Sequence, residues 1–119
     1  MKRLDQLWDI YVTCYSDKAD VSIDFGISDI EGMSLDDLGT DWIFNGLGDS
    51  FWENAYQFED GVSQAYALCD EGKEIDYALY EVFGHFSIEF KCNIPGITPD
   101  FNITEESINN AIYAMLRDV

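Results

Sequence analysis

Residues 7–27 read LWDIYVTCYSDKADVSIDFGI and contain two alternating runs on either side of a turn signal. In the first run, over residues 7–15, apolar and more polar positions alternate, and the β-branched content favours a strand. The tripeptide Ser16-Asp17-Lys18 has the composition of a turn. The second run alternates again, and its inward side consists of Val21, Ile23, Phe25 and Ile27. The stretch therefore predicts a β-hairpin with one solvated face.

The first run also leaves a helical interpretation open. Its large apolar and aromatic residues recur at a spacing that places them on one side of a helix over residues 4–15: Leu4, Leu7, Trp8, Tyr11, Val12 and Tyr15. The alternation favours the strand, and the helix stays as the alternative.

Two helices are predicted between residues 34 and 72. Ser34 and Asp37 resemble an N-cap and an acid of the first turn, and this helix is expected to stop near Asn45-Gly46. Asp49 or Ser50 then caps a longer helix, whose apolar face advances by alternating four- and three-residue steps: Phe51, Ala55, Phe58, Val62, Ala65 and Cys69. Gly61 weakens this helix by about 1 kcal/mol relative to alanine and can divide it, and Gly72 ends it.

The remainder of the chain predicts a helix, a strand and a last helix. An apolar stripe closed by Gly84 predicts a third helix: Ile75, Ala78, Leu79, Val82 and Phe83. Residues 86–94 alternate as a strand does, and Thr104 is a suitable N-cap for a helix with acids in its first turn. The order is ββ-ααα-β-α. It predicts that residues 1–119 form a single acidic α+β domain with about three antiparallel strands and helices on one face.

Charge is the feature that separates this chain from an ordinary small domain. The formal net charge is −18, and residues 19–72 contain no lysine, arginine or histidine. They contain thirteen acids: Asp20, Asp24, Asp29, Glu31, Asp36, Asp37, Asp41, Asp49, Glu53, Glu59, Asp60, Asp70 and Glu71. Aromatic residues are interleaved with these acids, which is typical of a folded segment rather than a disordered tail.

The composition argues against several classes of function. Direct binding of nucleic acid is disfavoured because cationic side chains supply most of its affinity. No run approaches the ~18 apolar residues that span a bilayer, and anionic lipid would repel the chain. Three widely spaced cysteines, Cys14, Cys69 and Cys92, indicate reduced thiols in a cytoplasmic protein rather than a disulfide framework or a zinc site.

No residue pattern predicts catalysis, a metal or a cofactor. His85 is the single histidine, and a histidine after a glycine at the start of a strand is typical of a boundary position. Asp41, Asn45, Gly46 and Asp49 match part of a calcium loop. The third position and the twelfth, Trp52, do not match, so we interpret the segment as a turn between two helices. We expect a protein that is not an enzyme and carries no cofactor.

Trp52 and Tyr56 are the aromatic residues whose role the sequence leaves open. They are four residues apart and would form a second stripe on the second helix, either packed at the core boundary or exposed as anchors ringed by acids. The predicted partner-binding residues are Asp36, Asp37, Asp41, Asp49, Trp52, Glu53, Tyr56, Glu59, Asp60, Asp70 and Glu71.

These features favour a binding protein over an enzyme. In charge and size the chain is similar to phage anti-restriction and anti-CRISPR inhibitors and to toxin immunity proteins. That likeness implies a nucleic-acid mimic, whose acids occupy phosphate positions in the basic groove of a nuclease or another DNA- or RNA-handling protein. The alternative is an acidic interaction or structural domain without mimicry, including one adapted to high salt.

Overall fold

A computed structural model of the chain describes residues 10–27, 41–92 and 103–119. These residues form three strands, β1 (Ile10–Ser16), β2 (Val21–Ile27) and β3 (Ser87–Cys92). They also form four helices, α1 (Asp41–Glu53), α2 (Glu59–Asp70), α3 (Ile75–Phe83) and α4 (Glu105–Leu116), with one 3-10 turn at Ala55–Gln57. The predicted α+β class and the order ββ-ααα-β-α are both confirmed.

The sheet has the strand order β2-β1-β3, and both pairs are antiparallel. Val12 lies opposite Phe25 and Phe90, so apolar side chains from all three strands share one face. On β1 this face is fully buried at Ile10 and Cys14. The hairpin prediction is therefore confirmed, and residues 10–16 form a strand rather than a helix. Residues 4–9 lie outside the described part of the chain.

The helices close over this apolar face and share one core. Helix α1 packs against β2 and α4, while α2 packs against α3. A row of aromatic rings then links the helices to the sheet. Phe58 stacks on Phe51 with ring centroids 4.8 Å apart, Phe83 follows at 6.0 Å from Phe58, and Phe86 at 6.4 Å from Phe83. The row ties α1, α2, α3 and the start of β3 together.

The predicted stop at Asn45-Gly46 is wrong, because α1 continues from Asp41 through Glu53. Gly46 serves helix packing rather than a turn. A β-carbon at this position would lie 2.7 Å from the Phe25 ring, so the missing side chain lets α1 approach the sheet. Asp49 and Ser50 consequently lie inside the helix and do not cap one, and the partial calcium loop is helical. The Ser34–Asp37 cap lies outside the described residues.

The predicted long helix is interrupted, but at Asn54 rather than at Gly61. The Asn54 side-chain amide donates to the Ser50 carbonyl over 2.9 Å, which satisfies one of the last carbonyl groups of α1. The 3-10 turn follows, and α2 begins at Glu59. Gly61 lies within α2, where a β-carbon would come within 2.5 Å of Phe83. Gly46 and Gly61 are thus close-packing positions.

Three predicted helix ends, at Gly72, Gly84 and Thr104, are confirmed. Gly72 and Gly84 both have positive φ angles, which suits the residues that follow α2 and α3. The Thr104 hydroxyl accepts a hydrogen bond from the Ser107 amide over 3.1 Å and caps α4. Inside α4, the buried Asn109 side chain bonds to both the amide and the carbonyl of Phe86, which fixes α4 to the start of β3.

Candidate partner-binding surface

The outer face of α1 carries both acids and an aromatic ring. The buried side of this helix contains Ile43, Leu47 and Phe51. Because a helix turns by about 100° per residue, the opposite side contains Asp49, Trp52 and Glu53. All three side chains are exposed. The repeat that buries one side of α1 therefore directs an acid–indole–acid set into solvent.

Trp52 and Tyr56 are both exposed, which answers the question that the sequence left open. Trp52 retains 48% of its accessible surface and Tyr56 retains 67%. Their predicted stripe on a single helix is wrong, because the break at Asn54 places Trp52 in α1 and Tyr56 in the 3-10 turn. The Trp52 ring packs perpendicular to the buried Phe51 ring, with centroids 5.0 Å apart. The indole is therefore anchored to the core on one side.

The acids of α2 lie at its two ends. Glu59 and Asp60 are exposed in the first turn, where the helix dipole favours acids. Asp70 and Glu71 are exposed at the opposite end. A helix of 12 residues is about 18 Å long, so these two pairs are separated by the full length of α2. Asp70 and Glu71 do not join the acids near the start of the helix.

We call the six predicted site residues in the segment 49–60 the junction surface, because they flank the connection between α1 and α2: Asp49, Trp52, Glu53, Tyr56, Glu59 and Asp60. Of the other predicted residues, Asp41 begins α1. Asp36 and Asp37 lie outside the described residues.

The carboxylates of the junction surface have no ion-pair partner among the described residues. Among the described residues, ion pairs join Arg117 to Asp76 and Lys91 to Glu89, and His85 contacts Glu105. These contacts lie on or beside β3, α3 and α4. Arg117 and Lys91 thus neutralise acids outside the junction surface.

A groove borders the junction surface where α2 and α3 approach the hairpin turn. Its volume is about 350 Å³, and its floor includes Gly61 and Phe83. Asp60 and Lys18 both line it, together with the amide side chains of Gln57 and Gln64. Lys18 makes no ion pair with Asp60 within 4 Å. Asp60 therefore faces a polar groove beside the acids of α1.

The other reactive side chains that the structure describes are His85 and the three cysteines. His85 is exposed and paired with Glu105. Cys14, Cys69 and Cys92 are free thiols. Burial raises the pKa of the Cys14 thiol to about 12, so it stays protonated near neutral pH. No set of three His, Cys, Asp or Glu residues in the described ranges could hold a metal ion.

Sequence reasoning missed a second aromatic region, on the outer sides of α2 and α3. Tyr66, Tyr77 and Tyr80 are exposed there. The Tyr66 hydroxyl donates to the Arg117 carbonyl over 3.0 Å, and the Arg117 side chain pairs with Asp76. A signal was present, because Tyr77 and Tyr80 fall outside the apolar stripe of the predicted third helix.

None of the described helices has the length and apolarity needed to cross a membrane. No protein-family model, curated protein or solved structure matches the chain. The functional proposal therefore rests on its fold and its surface.

Proposed function

We propose that this chain is an acidic inhibitor that occludes the basic nucleic-acid-binding surface of a nuclease or another DNA- or RNA-handling protein. Its carboxylates would take the place of backbone phosphates, as in anti-restriction, anti-CRISPR or toxin-immunity proteins of phage and bacterial systems. The protein would act in the cytoplasm without cofactor or catalysis.

One observation supports this proposal above the others, namely that the acids of the junction surface are exposed and unpaired. Their helices are anchored by buried rings, so the carboxylates project from a fixed base. Unpaired charge of one sign costs folding stability through self-repulsion. A surface that keeps this cost while Arg117 and Lys91 pair with other acids is suited to a cationic partner.

Inhibition would follow from steric and electrostatic occlusion. Long-range attraction between the anionic surface and a basic groove speeds association. A few carboxylates that lose water on contact with arginine or lysine then slow release. The exposed Trp52 and Tyr56 would add apolar contact area in the middle of the polar surface.

The test is capture of partners from host lysate at ~50 and ~200 mM salt, followed by competition of the captured protein with duplex DNA or RNA. We expect a basic nucleic-acid-handling protein that is retained at low salt, lost at higher salt and displaced by the nucleic acid. A partner that nucleic acid does not displace would favour an acidic interaction domain without mimicry.

Two matched variants locate the surface. The first reverses Asp49, Glu53 and Glu59 to lysine, and the control reverses three exposed acids elsewhere: Glu74, Glu106 and Asp118. Both variants change the net charge equally, and each includes one acid from the first turn of a helix. We expect the first to lose partner binding by tenfold or more and the control by much less. Equal losses would mean that total charge, rather than this surface, determines binding.

A further inference from the structure

We propose that the exposed indole of Trp52 is the docking platform for an arginine side chain of the partner, with Asp49 and Glu53 as its carboxylate contacts. This inference rests on the proposed function and names the chemistry that the unpartnered face of α1 recognises.

The Trp52 ring is packed against the core and partly exposed to solvent. The ring lies at 89° to Phe51, whose side chain is fully buried, so the indole packs against the core. Nearly half of the Trp52 surface nevertheless remains exposed, at 48%. An aromatic ring that is already held on one side by packing loses little conformational freedom on binding.

Charge complementarity identifies the occupant. Asp49 precedes Trp52 by three residues and Glu53 follows it directly, and both carboxylates are exposed. Neither forms an ion pair with a described cation. A cation over the indole would meet the negative face of the ring and two carboxylates together.

A contact between a cation and an aromatic ring is present elsewhere in the same chain. Lys73 Nζ lies 5.3 Å from the centroid of the Tyr77 ring. Among the described residues no cation occupies the equivalent place over Trp52, although tryptophan binds cations better than tyrosine does. The Trp52 ring is therefore the stronger platform, and no described cation of this chain occupies it.

Arginine suits this position better than lysine. The planar guanidinium group can stack on an indole and still direct its edge N–H groups toward carboxylates. A lysine ammonium is a compact, strongly hydrated charge that cannot do both with the same geometry. Arginine is also a side chain that nucleic-acid-handling proteins use for phosphate contacts, which connects this site to the proposed function.

The experiment uses two synthetic peptides of equal length and charge, with arginine or lysine at alternate positions among glycine and serine. Titration calorimetry measures their affinities for the full chain, for Trp52→Leu and for Tyr80→Leu, a control that removes an exposed aromatic ring from α3. We expect the parent and Tyr80→Leu to prefer the arginine peptide by about fivefold, and Trp52→Leu to bind both peptides equally. The indole N–H resonance of Trp52, assigned from its absence in Trp52→Leu, should shift with the arginine peptide.

Two results would overturn the inference, and they differ from failure of the proposed function. A parent protein without arginine preference, or a Trp52→Leu protein that keeps it, removes Trp52 as the platform while cation binding stands. If neither peptide binds the parent at low salt, the acidic surface does not attract cations, and the proposed function fails as well. Circular dichroism of Trp52→Leu verifies that the variant is folded.

Discussion

Two surface regions carry exposed acids and aromatic rings: the junction surface and the α3–α4 side, which we define as Lys73, Asp76, Tyr77, Tyr80 and Arg117. Within the described chain, the acids are balanced by cations in the second region but not in the first. On the α3–α4 side, Arg117 pairs with Asp76, and Lys73 lies over Tyr77. At the junction surface, exposed acids and Trp52 have no such partner among the described residues. Local charge balance, rather than net charge alone, therefore distinguishes the two surfaces.

A shared core joins the two regions. The aromatic row passes from Phe51 of α1 through Phe58 to Phe83 at the end of α3. The unshielded acids are consequently held by the same packing that holds the neutralised side. Substitutions in the aromatic row, in the contact between α2 and α3 and among the surface acids test this comparison.

The largest expected effect comes from breaking the row at Phe58. Its side chain is fully buried between Phe51 and Phe83. Phe58→Ala should lower the free energy of unfolding by about 3–5 kcal/mol, because it removes transfer free energy and leaves a cavity. Tyr80→Ala, which truncates an exposed ring, should change it by less than about 0.5 kcal/mol. Urea unfolding followed by circular dichroism measures both.

The number of unfolding transitions is as informative as the urea concentration at the midpoint. A shared core predicts one cooperative transition for the parent, seen equally by circular dichroism and by tryptophan fluorescence. Two separate transitions would show that the junction and the α3–α4 side are independent units. Phe58→Leu, which keeps most of the volume, should lose only about 1–2 kcal/mol and serves if the alanine variant does not fold.

An intermediate effect is expected at the contact between α2 and α3. A β-carbon at Gly61 would meet the Phe83 ring at 2.5 Å, whereas one at Gly48 in α1 would meet nothing within 4 Å. Gly61→Ala should therefore destabilise the protein by about 1–2 kcal/mol, because overpacking outweighs the gain in helix propensity. Gly48→Ala should stabilise it by up to about 1 kcal/mol. Thermal unfolding of the two variants gives the comparison.

The signs of the two changes in melting temperature, for Gly61→Ala and Gly48→Ala, test this prediction. If Gly61→Ala raises the melting temperature as Gly48→Ala does, Phe83 can move aside without loss, and the close approach of α2 to α3 is not required. A further substitution to valine at position 61 should amplify the cost, since its larger side chain meets the same ring.

Local patterns predicted most of the α+β fold. Alternation over residues 10–27 indicated the hairpin, and Gly84 and Thr104 mark a helix end and a helix start through their own backbone and hydroxyl chemistry. The path of α1 could not be predicted in this way. Asn45-Gly46 has the composition of a turn, and only the contact with the distant Phe25 ring of β2 shows that Gly46 is a packing position.

The candidate site was predicted in composition but not in arrangement. The base-free segment identified the acids, yet the exposure of Trp52 depends on which side of α1 meets β2. The break at Asn54 then separates Trp52 from Tyr56, and the length of α2 separates Asp70 and Glu71 from the junction surface. Each of these facts depends on contacts between distant parts of the chain, which a local repeat does not encode.

The smallest expected effect tests the electrostatic difference itself. Glu53→Gln with Asp70→Asn neutralises two exposed acids that have no ion pair in the described chain. Both lie at the carboxyl ends of helices, where the dipole also disfavours acids. This variant should gain about 0.5–1 kcal/mol of stability at low salt. Asp76→Asn with Glu105→Gln removes two paired acids instead and should gain nothing or lose a little.

Salt then separates the electrostatic causes, self-repulsion and the helix dipole, from the others. At about 1 M salt the screening length falls to ~3 Å, so the advantage of the first variant should shrink toward zero in urea unfolding. An advantage that persists unchanged at high salt would come from helix propensity or packing. If the two double variants instead change stability equally at low salt, Glu53 and Asp70 experience no more repulsion than the paired acids. The difference in charge balance between the two regions would then have no effect on stability.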